Sequence, residues 1–272
     1  MSLFRCPVCG GELEKGERAY CCGNGHAFDR AASGYVNLLL SGQKNAADPG
    51  DDKAMCRSRR DFLEAGYYGV LADVLGQTAL ELLPQAEVFL DVGCGEGYYT
   101  RRICSALALT GRTVSAAGVD ISKHAVQMAA KSDKGGDYAV ASGARLPVGD
   151  KVVDLLLSCF SPVFGEEFAR VVKPGGHLIV VEPAPSHLWE MKAVLYDSPY
   201  PNKPNRYDLP GFKLISSRAV ETKLLLKSRE DIQNLFHMTP YFWNTPREGI
   251  ERLEKLTTLE TEAAFLIHIY EH

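Results

Sequence analysis

The sequence predicts an α/β protein: a doubly wound, mostly parallel sheet of Rossmann-like type, preceded by a small metal-binding module. Three observations carry this. From residue 87 onward, short apolar runs alternate with segments of helical periodicity. A turn with three glycines, Gly93-Cys94-Gly95-Glu96-Gly97, follows the first of those runs. Four of the eight cysteines fall within the first 22 residues. Strands that alternate with helices join through right-handed crossovers, which make neighbouring strands parallel and cover both faces of the sheet.

The 272 residues, 46% hydrophobic and 24% charged, are ordinary for one α/β domain with a satellite. No run approaches the ~20 apolar residues of a membrane span. The opening MSLFRCPVCG lacks the apolar core of a signal peptide, so a cytoplasmic protein with no membrane partner is expected. A net charge of −4 gives no global support for nucleic-acid binding. The densest basic cluster is Arg57, Arg59 and Arg60 with Lys53 close by; on charge alone it reads equally well as a solvated helix face.

Residues 1–40 form the small module, rich in Cys and Gly. Residues 41–85 are a linker, polar over 41–52, followed by helices. Met55, Phe62, Leu63, Val70, Leu71, Val74 and Leu75 recur at helical spacing, and Gly66 divides the stretch in two. Residues 86–272 are the α/β domain. Strands are expected at Val88–Val92, Val114–Val119, Tyr138–Ala141, Val153–Ser158 and His177–Val181, and helices at Tyr98–Leu109, Ser122–Lys131 and Glu166–Val172. The strand runs are continuously apolar, as strands covered on both faces must be. Residues 183–220 are Pro-rich and read as an irregular insertion over the strand ends. A helix over 228–238 starts at Ser228, with Asp231 at the capping-box position, and Phe265–Tyr270 reads as a last strand.

The glycine turn sits where a doubly wound sheet binds ligands, outside the carboxyl ends of its strands. Glycine there permits positive φ and leaves room for close approach. The spacing is GxGxG, and the strand before it ends in an acid, Asp91. A carboxylate there favours a cation and repels a pyrophosphate. Asp120 closes the next strand, 29 residues on, where an acid can bond both hydroxyls of a ribose. A sulfonium nucleoside without phosphates meets these demands better than a dinucleotide.

In the first module, Cys6-x2-Cys9 and Cys22-x3-His26 have the spacing of a structural zinc site, which takes four soft or borderline ligands in a tetrahedron. Cys21 competes with Cys22 as the third ligand. Four protein ligands leave no open position, so this zinc is expected to be structural.

The series Asp91 to Gly97, Asp120, Leu146-Pro147 and Val172-Lys173-Pro174-Gly175-Gly176 resembles class I S-adenosylmethionine-dependent methyltransferases over residues 86–182. An acid that this family often carries four residues before the Leu-Pro pair is Ser142 here. The longer series of Gly25-His26-Ala27-Phe28-Asp29, Asp48-Pro49-Gly50-Asp51, Arg59-Arg60-Asp61-Phe62-Leu63-Glu64-Ala65-Gly66-Tyr67-Tyr68 and Met238-Thr239-Pro240 resembles the 23S ribosomal RNA guanine-N1 methyltransferases along nearly the whole chain. That resemblance implies S-adenosylmethionine and zinc as cofactors, with Cys22 rather than Cys21 as the ligand. It implies a guanine in a hairpin of domain II of the large-subunit RNA as substrate, and a homodimer whose zinc modules help grip RNA. It implies cofactor contacts from Tyr68, Gly95, Glu96 and His187, which join Asp91, Gly93, Asp120, Ile121, Ser142 and Leu146 as the expected cofactor-binding set. No catalytic base is named; Glu182 and His187 are candidates at the sheet edge, and Phe160 and Trp189 are candidates to stack on a base. Two other readings stay open: a methyltransferase for a small metabolite, favoured by the acidic pI, and a non-catalytic zinc-dependent RNA-binding protein.

Overall fold

The computed structural model describes residues 2–43, 49–83, 88–205, 207 and 209–272. The middle of the linker, including Asp48, and positions 206 and 208 of the expected insertion lie outside the described residues. The first module is a three-stranded antiparallel sheet of β1 (Glu14–Lys15), β2 (Ala19–Cys21) and β3 (Ala27–Asp29), followed by β4 (Val36–Asn37). Two helices follow, α1 (Lys53–Glu64) and α2 (Gly69–Leu82). Asp52 caps α1 by accepting from the Ala54 and Met55 amides, and Gly66, at φ +87°, makes the break between the helices.

The alternating segment then runs β5 (Val88–Val92), α3 (Tyr98–Leu109), β6 (Ser115–Asp120), α4 (Lys123–Ser132), β7 (Asp137–Val140), β8 (Val153–Cys159), α5 (Gly165–Val171) and β9 (Val172–Pro183). The chain ends with α6 (Trp189–Leu195), β10 (Lys213–Leu226), α7 (Arg229–His237), α8 (Tyr241–Asn244), α9 (Arg247–Glu254) and β11 (Leu259–Glu271). Ser228 caps α7, accepting from the Asp231 amide at 3.1 Å.

Among the described residues the main sheet has the order β10-β11-β9-β8-β5-β6-β7-β4. The strands from β9 to β4 are parallel; β11 and β10 are antiparallel additions. The chain steps outward from β5 to β7, then returns to lay β8 beside β5. The winding therefore reverses between β5 and β8, which opens a crevice at their carboxyl ends.

Both faces are covered. One carries α2, α3, α6 and α7, with Leu71, Leu75, Ile103, Met191 and Leu235 fully buried against it. The other carries Phe168 and Val171 of α5 together with Phe4, Leu13 and Tyr20 of the first module. Burying each of those three large module side chains contributes about 1.5–3 kcal/mol. Backbone pairing adds to this: β4 extends the sheet beside β7, and the Arg5 amide donates to the Pro147 carbonyl at 2.8 Å. The metal-binding module is thus built onto the sheet.

Three features differ from the sequence reading. The stretch expected to be irregular over 183–220 contains α6 and the first half of β10. This strand is an edge whose residues are mostly exposed, with Ser216, Ser217, Arg218, Glu221 and Lys223 interrupting the apolar pattern, so alternation is hidden. The last strand begins at Leu259, because it pairs with β10 along its whole length. The Lys-Pro-Gly-Gly stretch is absorbed into β9 with a register shift against β8. Among the described residues, no helix is long and apolar enough to cross a membrane.

Candidate functional site

The crevice floor is Asp91, the fourth residue of β5. It is 1% exposed, and its Oδ2 accepts from the Thr100 hydroxyl at 2.6 Å. Its Oδ1 has no partner. Burial, with the charges of Asp120 and Glu96 nearby, pushes its carboxyl up to about 7. Gly93, Gly95 and Gly97 all hold positive φ, at +78°, +56° and +82°. Gly93 is fixed by sterics: a Cβ there would lie 2.3 Å from the Ser161 Cβ. Ser161 in turn donates to the Val92 carbonyl at 2.8 Å, which clamps the β8 end onto the β5 end. A Cβ at Gly95 would meet nothing within 4 Å, so the backbone of this turn faces open space.

Asp120, at the tip of β6, is tied on both oxygens. It accepts from the Gly95 amide at 3.0 Å and from the Ser122 amide at 2.8 Å. Burial raises its pKa, and these two amides work against that rise. Ile121 and Ser122 pack against Gly50 of the linker, and the Ser122 hydroxyl donates to the Asp51 carbonyl at 2.7 Å. Glu96 is 4% exposed, its Oε1 has no partner, and burial raises its pKa against the pull of Arg59 and Arg101. Arg59 is held there by an ion pair with Asp51 and a hydrogen bond to the Met238 carbonyl at 3.3 Å.

Tyr68 and His187 form a buried pair. The Tyr68 hydroxyl lies 3.3 Å from His187 Nε2, and His187 Nδ1 lies 2.9 Å from the Ala264 carbonyl. The Ala264 amide also lies 3.2 Å from Nδ1, so the ring is fastened to the Ala264 backbone through Nδ1 and to Tyr68 through Nε2. Burial lowers the His187 pKa to about 4, so the ring is neutral at physiological pH and only weakly basic. Both rings sit in an aromatic cluster with Phe265 and Phe160. Phe160 is 43% exposed and holds φ +54°; Leu188, which starts α6 ahead of the exposed Trp189, holds φ +57°. Left-handed non-glycine residues cost roughly 1–3 kcal/mol each and gather at functional sites.

The other expected residues separate. Glu182 is buried and fully engaged: it accepts from Asn205 Nδ2 at 2.6 Å and the Tyr207 hydroxyl at 2.9 Å, with His268 Nε2 at 3.3 Å. It fastens the segment after α6 and is not a free base. Ser142 follows β7 and accepts from the Ala144 amide at 3.3 Å in a local turn. The Leu146 side chain is buried in the core cluster that also holds Phe4 and Val148. Sequence reasoning gives no role to Tyr99, whose hydroxyl is buried without a partner beside Phe160 (6.5 Å between ring centres), nor to Thr100 and Ser161. Tyr99 and Thr100 follow directly on the glycine turn in the first turn of α3, a position that could have marked them.

S-adenosylmethionine fits this crevice. Asp91 Oδ1, Glu96 Oε1 and the Tyr99 hydroxyl are three of the four buried side-chain atoms without a partner among the described residues, and all three belong to the glycine turn or the residues next to it. Unpaired buried polar atoms cost about 1–3 kcal/mol each, which a ligand carrying positive charge and polar groups offsets.

The metal centre lies in the first module. Ligand atoms of Cys6, Cys9, Cys22 and His26 all lie within 4.8 Å of one another. His26 Nδ1 is 3.5 Å from Cys6 Sγ and 3.4 Å from Cys22 Sγ, and Cys9 Sγ is 3.7 Å from Cys22 Sγ. Each pair comes from a tight knuckle, closed by Gly10 N to the Cys6 carbonyl and Gly25 N to the Cys22 carbonyl. Cys21 is exposed on β2, outside the cluster. Three thiols and an imidazole at these separations fit tetrahedral zinc.

Known proteins match the two regions that hold these sites. Residues 4–46 match a zinc-ribbon family described as "RlmA, N-terminal", and residues 90–180 match "Methyltransferase domain". The Bacillus subtilis protein YxjB, which carries the provisional name 23S rRNA (guanine-N(1)-)-methyltransferase, is 32% identical over 267 residues, covering 95% of this chain and 93% of that one. A 23S rRNA (guanine(748)-N(1))-methyltransferase of Streptomyces fradiae is 35% identical, covering 69% of this chain and 66% of that one. A demethylmenaquinone methyltransferase of Tropheryma whipplei is 36% identical, over 75% of this chain and 74% of that one. The match across the zinc ribbon and the full-length match to YxjB decide between these relatives: the chain belongs to the 23S rRNA (guanine-N1)-methyltransferase family, S-adenosylmethionine-dependent enzymes of the class I fold with an N-terminal zinc ribbon.

Proposed function

We propose that this chain methylates N1 of a guanine in a hairpin of 23S ribosomal RNA. The observation that carries the reading is the joining of two parts: a zinc ribbon of Cys6, Cys9, Cys22 and His26 built onto the sheet that holds the cofactor crevice. A small substrate needs no appended gripping module. The names carried by the Bacillus subtilis relative, matched over nearly its full length, and by the Streptomyces fradiae relative support the same substrate.

S-adenosylmethionine, when bound, supplies an electrophilic methyl group on a positive sulfur. Tyr68, Asp91, Gly93, Gly95, Glu96, Asp120, Ile121 and His187 form the proposed binding set, with Tyr99 added; Ser142 enters through its turn, and Leu146 through core packing alone. Asp91 and Glu96 set a negative field at the crevice, while Asp120 is positioned for ribose hydroxyls. Tyr68 and His187 fix each other's orientation and stiffen the aromatic wall.

Guanine N1 is paired in a duplex, so the target base must be unstacked before it can be reached. Phe160, exposed at the end of β8, is a platform for that base, with Trp189 on the opposite segment. The homodimer implied by the resemblance is part of the same proposal. The open edge of β10 exposes Leu214, Ile215 and Leu225, and pairing with a second copy would cover it; sedimentation tests this.

The function is tested by supplying methyl-labelled cofactor with purified 23S rRNA and, separately, with a metabolite extract. Label in the RNA supports the proposal. Label in a metabolite alone favours a small-molecule enzyme, the reading consistent with the demethylmenaquinone methyltransferase relative.

A further inference from the structure

The basic cluster on α1 divides in two. Arg59 turns inward to Asp51 and the Met238 carbonyl. Lys53, Arg57 and Arg60 recur at i, i+4 and i+7 on the outward face. They meet a second stripe, His124, Gln127 and Lys131, at i, i+3 and i+7 on α4. Together these residues line one groove of about 330 Å³.

No acidic residue lines the groove among the described residues. Lys53, Arg57 and Lys131 have no side-chain partner among the described residues, and Arg60 pairs only with its exposed neighbour Asp61. A solvated helix face mixes charges of both signs. Here four cations gather in a chain whose net charge is −4, so the local sign opposes the average.

The groove also has a defined place. Helices α1 and α4 meet where Cys56 Sγ lies 3.8 Å from Ser122 Oγ. Ser122 is the residue whose amide donates to Asp120 at the rim of the cofactor crevice. The groove therefore starts beside that rim and runs away from it along α4.

We propose that the α1–α4 groove binds the phosphate backbone of the RNA substrate and holds the strand next to the target nucleotide at the mouth of the crevice. The inference rests on the RNA reading of the site. Lysine and arginine neutralise phosphates whatever the sequence, and Gln127 is placed to bond sugar or phosphate oxygens, so the groove positions RNA and leaves base choice to the crevice.

The test uses the full-length zinc-loaded protein and 23S rRNA transcribed in vitro. The Arg57→Gln, Arg60→Gln, Lys131→Gln triple variant is compared with a control that neutralises Lys173 of β9 and Arg247 and Lys255 in and just after α9, all outside the groove and outside the β10 edge. The groove variant should lose about two to three units from the slope of log affinity against log salt. It should bind on the order of 10²-fold more weakly at 0.1 M salt, with cofactor affinity unchanged on the same samples. RNA affinity and salt slope equal to those of the wild type or of the control would overturn the groove. On the wild-type protein, RNA should slow chemical acetylation of Lys53 and Lys131; undiminished reactivity at both would overturn it as well. If the wild type methylates 23S rRNA while the groove variant binds normally, the groove alone falls. If the wild type methylates no 23S rRNA, the substrate reading falls.

Discussion

Asp91→Asn removes one ionisable group from the crevice floor and keeps an oxygen for the Thr100 hydroxyl. In the folded protein the Asp91 carboxyl is pushed up to about 7 from an ordinary 3.8. The folded chain therefore holds this proton more tightly than the unfolded chain. Its contribution to stability is greatest at low pH, falls as pH rises from about 4 to about 7, and is flat beyond. Between pH 5 and pH 8 the loss approaches two pH units, about 2.7 kcal/mol at 1.36 kcal/mol per unit. The Asn variant escapes that loss. Its melting temperature, without cofactor, should gain on the wild type by about 4–6 °C between pH 5 and pH 8, at about 2 °C per kcal/mol for a chain of this size. Calorimetry on the same proteins should show the variant binding S-adenosylmethionine at least ~10-fold more weakly, a loss of about 1.4 kcal/mol. Wild-type affinity should fall as pH drops below 7, because a cationic ligand prefers the ionised carboxylate. Parallel melting curves across this pH range would refute the reasoning, since they would mean that Asp91 ionises as an ordinary carboxyl.

Gly93→Ala puts a methyl group 2.3 Å from the Ser161 Cβ at φ +78°; it should destabilise by at least ~1–3 kcal/mol and abolish cofactor binding, and normal binding would show that the β5–β8 clamp is dispensable. Cys6→Ser with Cys9→Ser should lose zinc, measured by elemental analysis, and lower RNA affinity while sparing much of the cofactor binding; normal methylation of RNA by the zinc-free protein would remove the module from RNA recognition. Tyr68→Phe leaves His187 Nε2 without its partner and should cost about 1 kcal/mol of stability with a several-fold rise in the cofactor Kd; an unchanged Kd would confine this pair to packing.

The parallel sheet and the crevice are legible in the sequence because each depends on local grammar. β5 to β8 are short, largely buried runs, and the glycines and Asp91 that shape the turn lie within a few residues of one another, with Asp120 at the tip of the next strand. The zinc ligands are legible for the same reason, since C-x2-C and C-x3-H are each a single knuckle. β10 is not legible, because an edge strand with one solvated face needs only Val220, Leu224 and Leu226 buried. The motif around Leu146 points to the cofactor, but this side chain is buried in the core cluster that also holds Phe4 of the first module, more than a hundred positions away. Glu182 has the place of a candidate base, yet Asn205, Tyr207 and His268 occupy it. Tyr99, two residues past the glycine turn, has no role in the sequence reading, because only the folded chain shows its hydroxyl buried and unpartnered beside Phe160.

The most direct measurement is reverse transcription across 23S rRNA after incubation with the protein and S-adenosylmethionine. N1 methylation blocks base pairing, so the account predicts a strong arrest one nucleotide before a single hairpin guanine, absent when cofactor is omitted and weakened when Asp91 is replaced at limiting cofactor. Full-length extension through every hairpin, from RNA that the active enzyme has had every chance to modify, would contradict it.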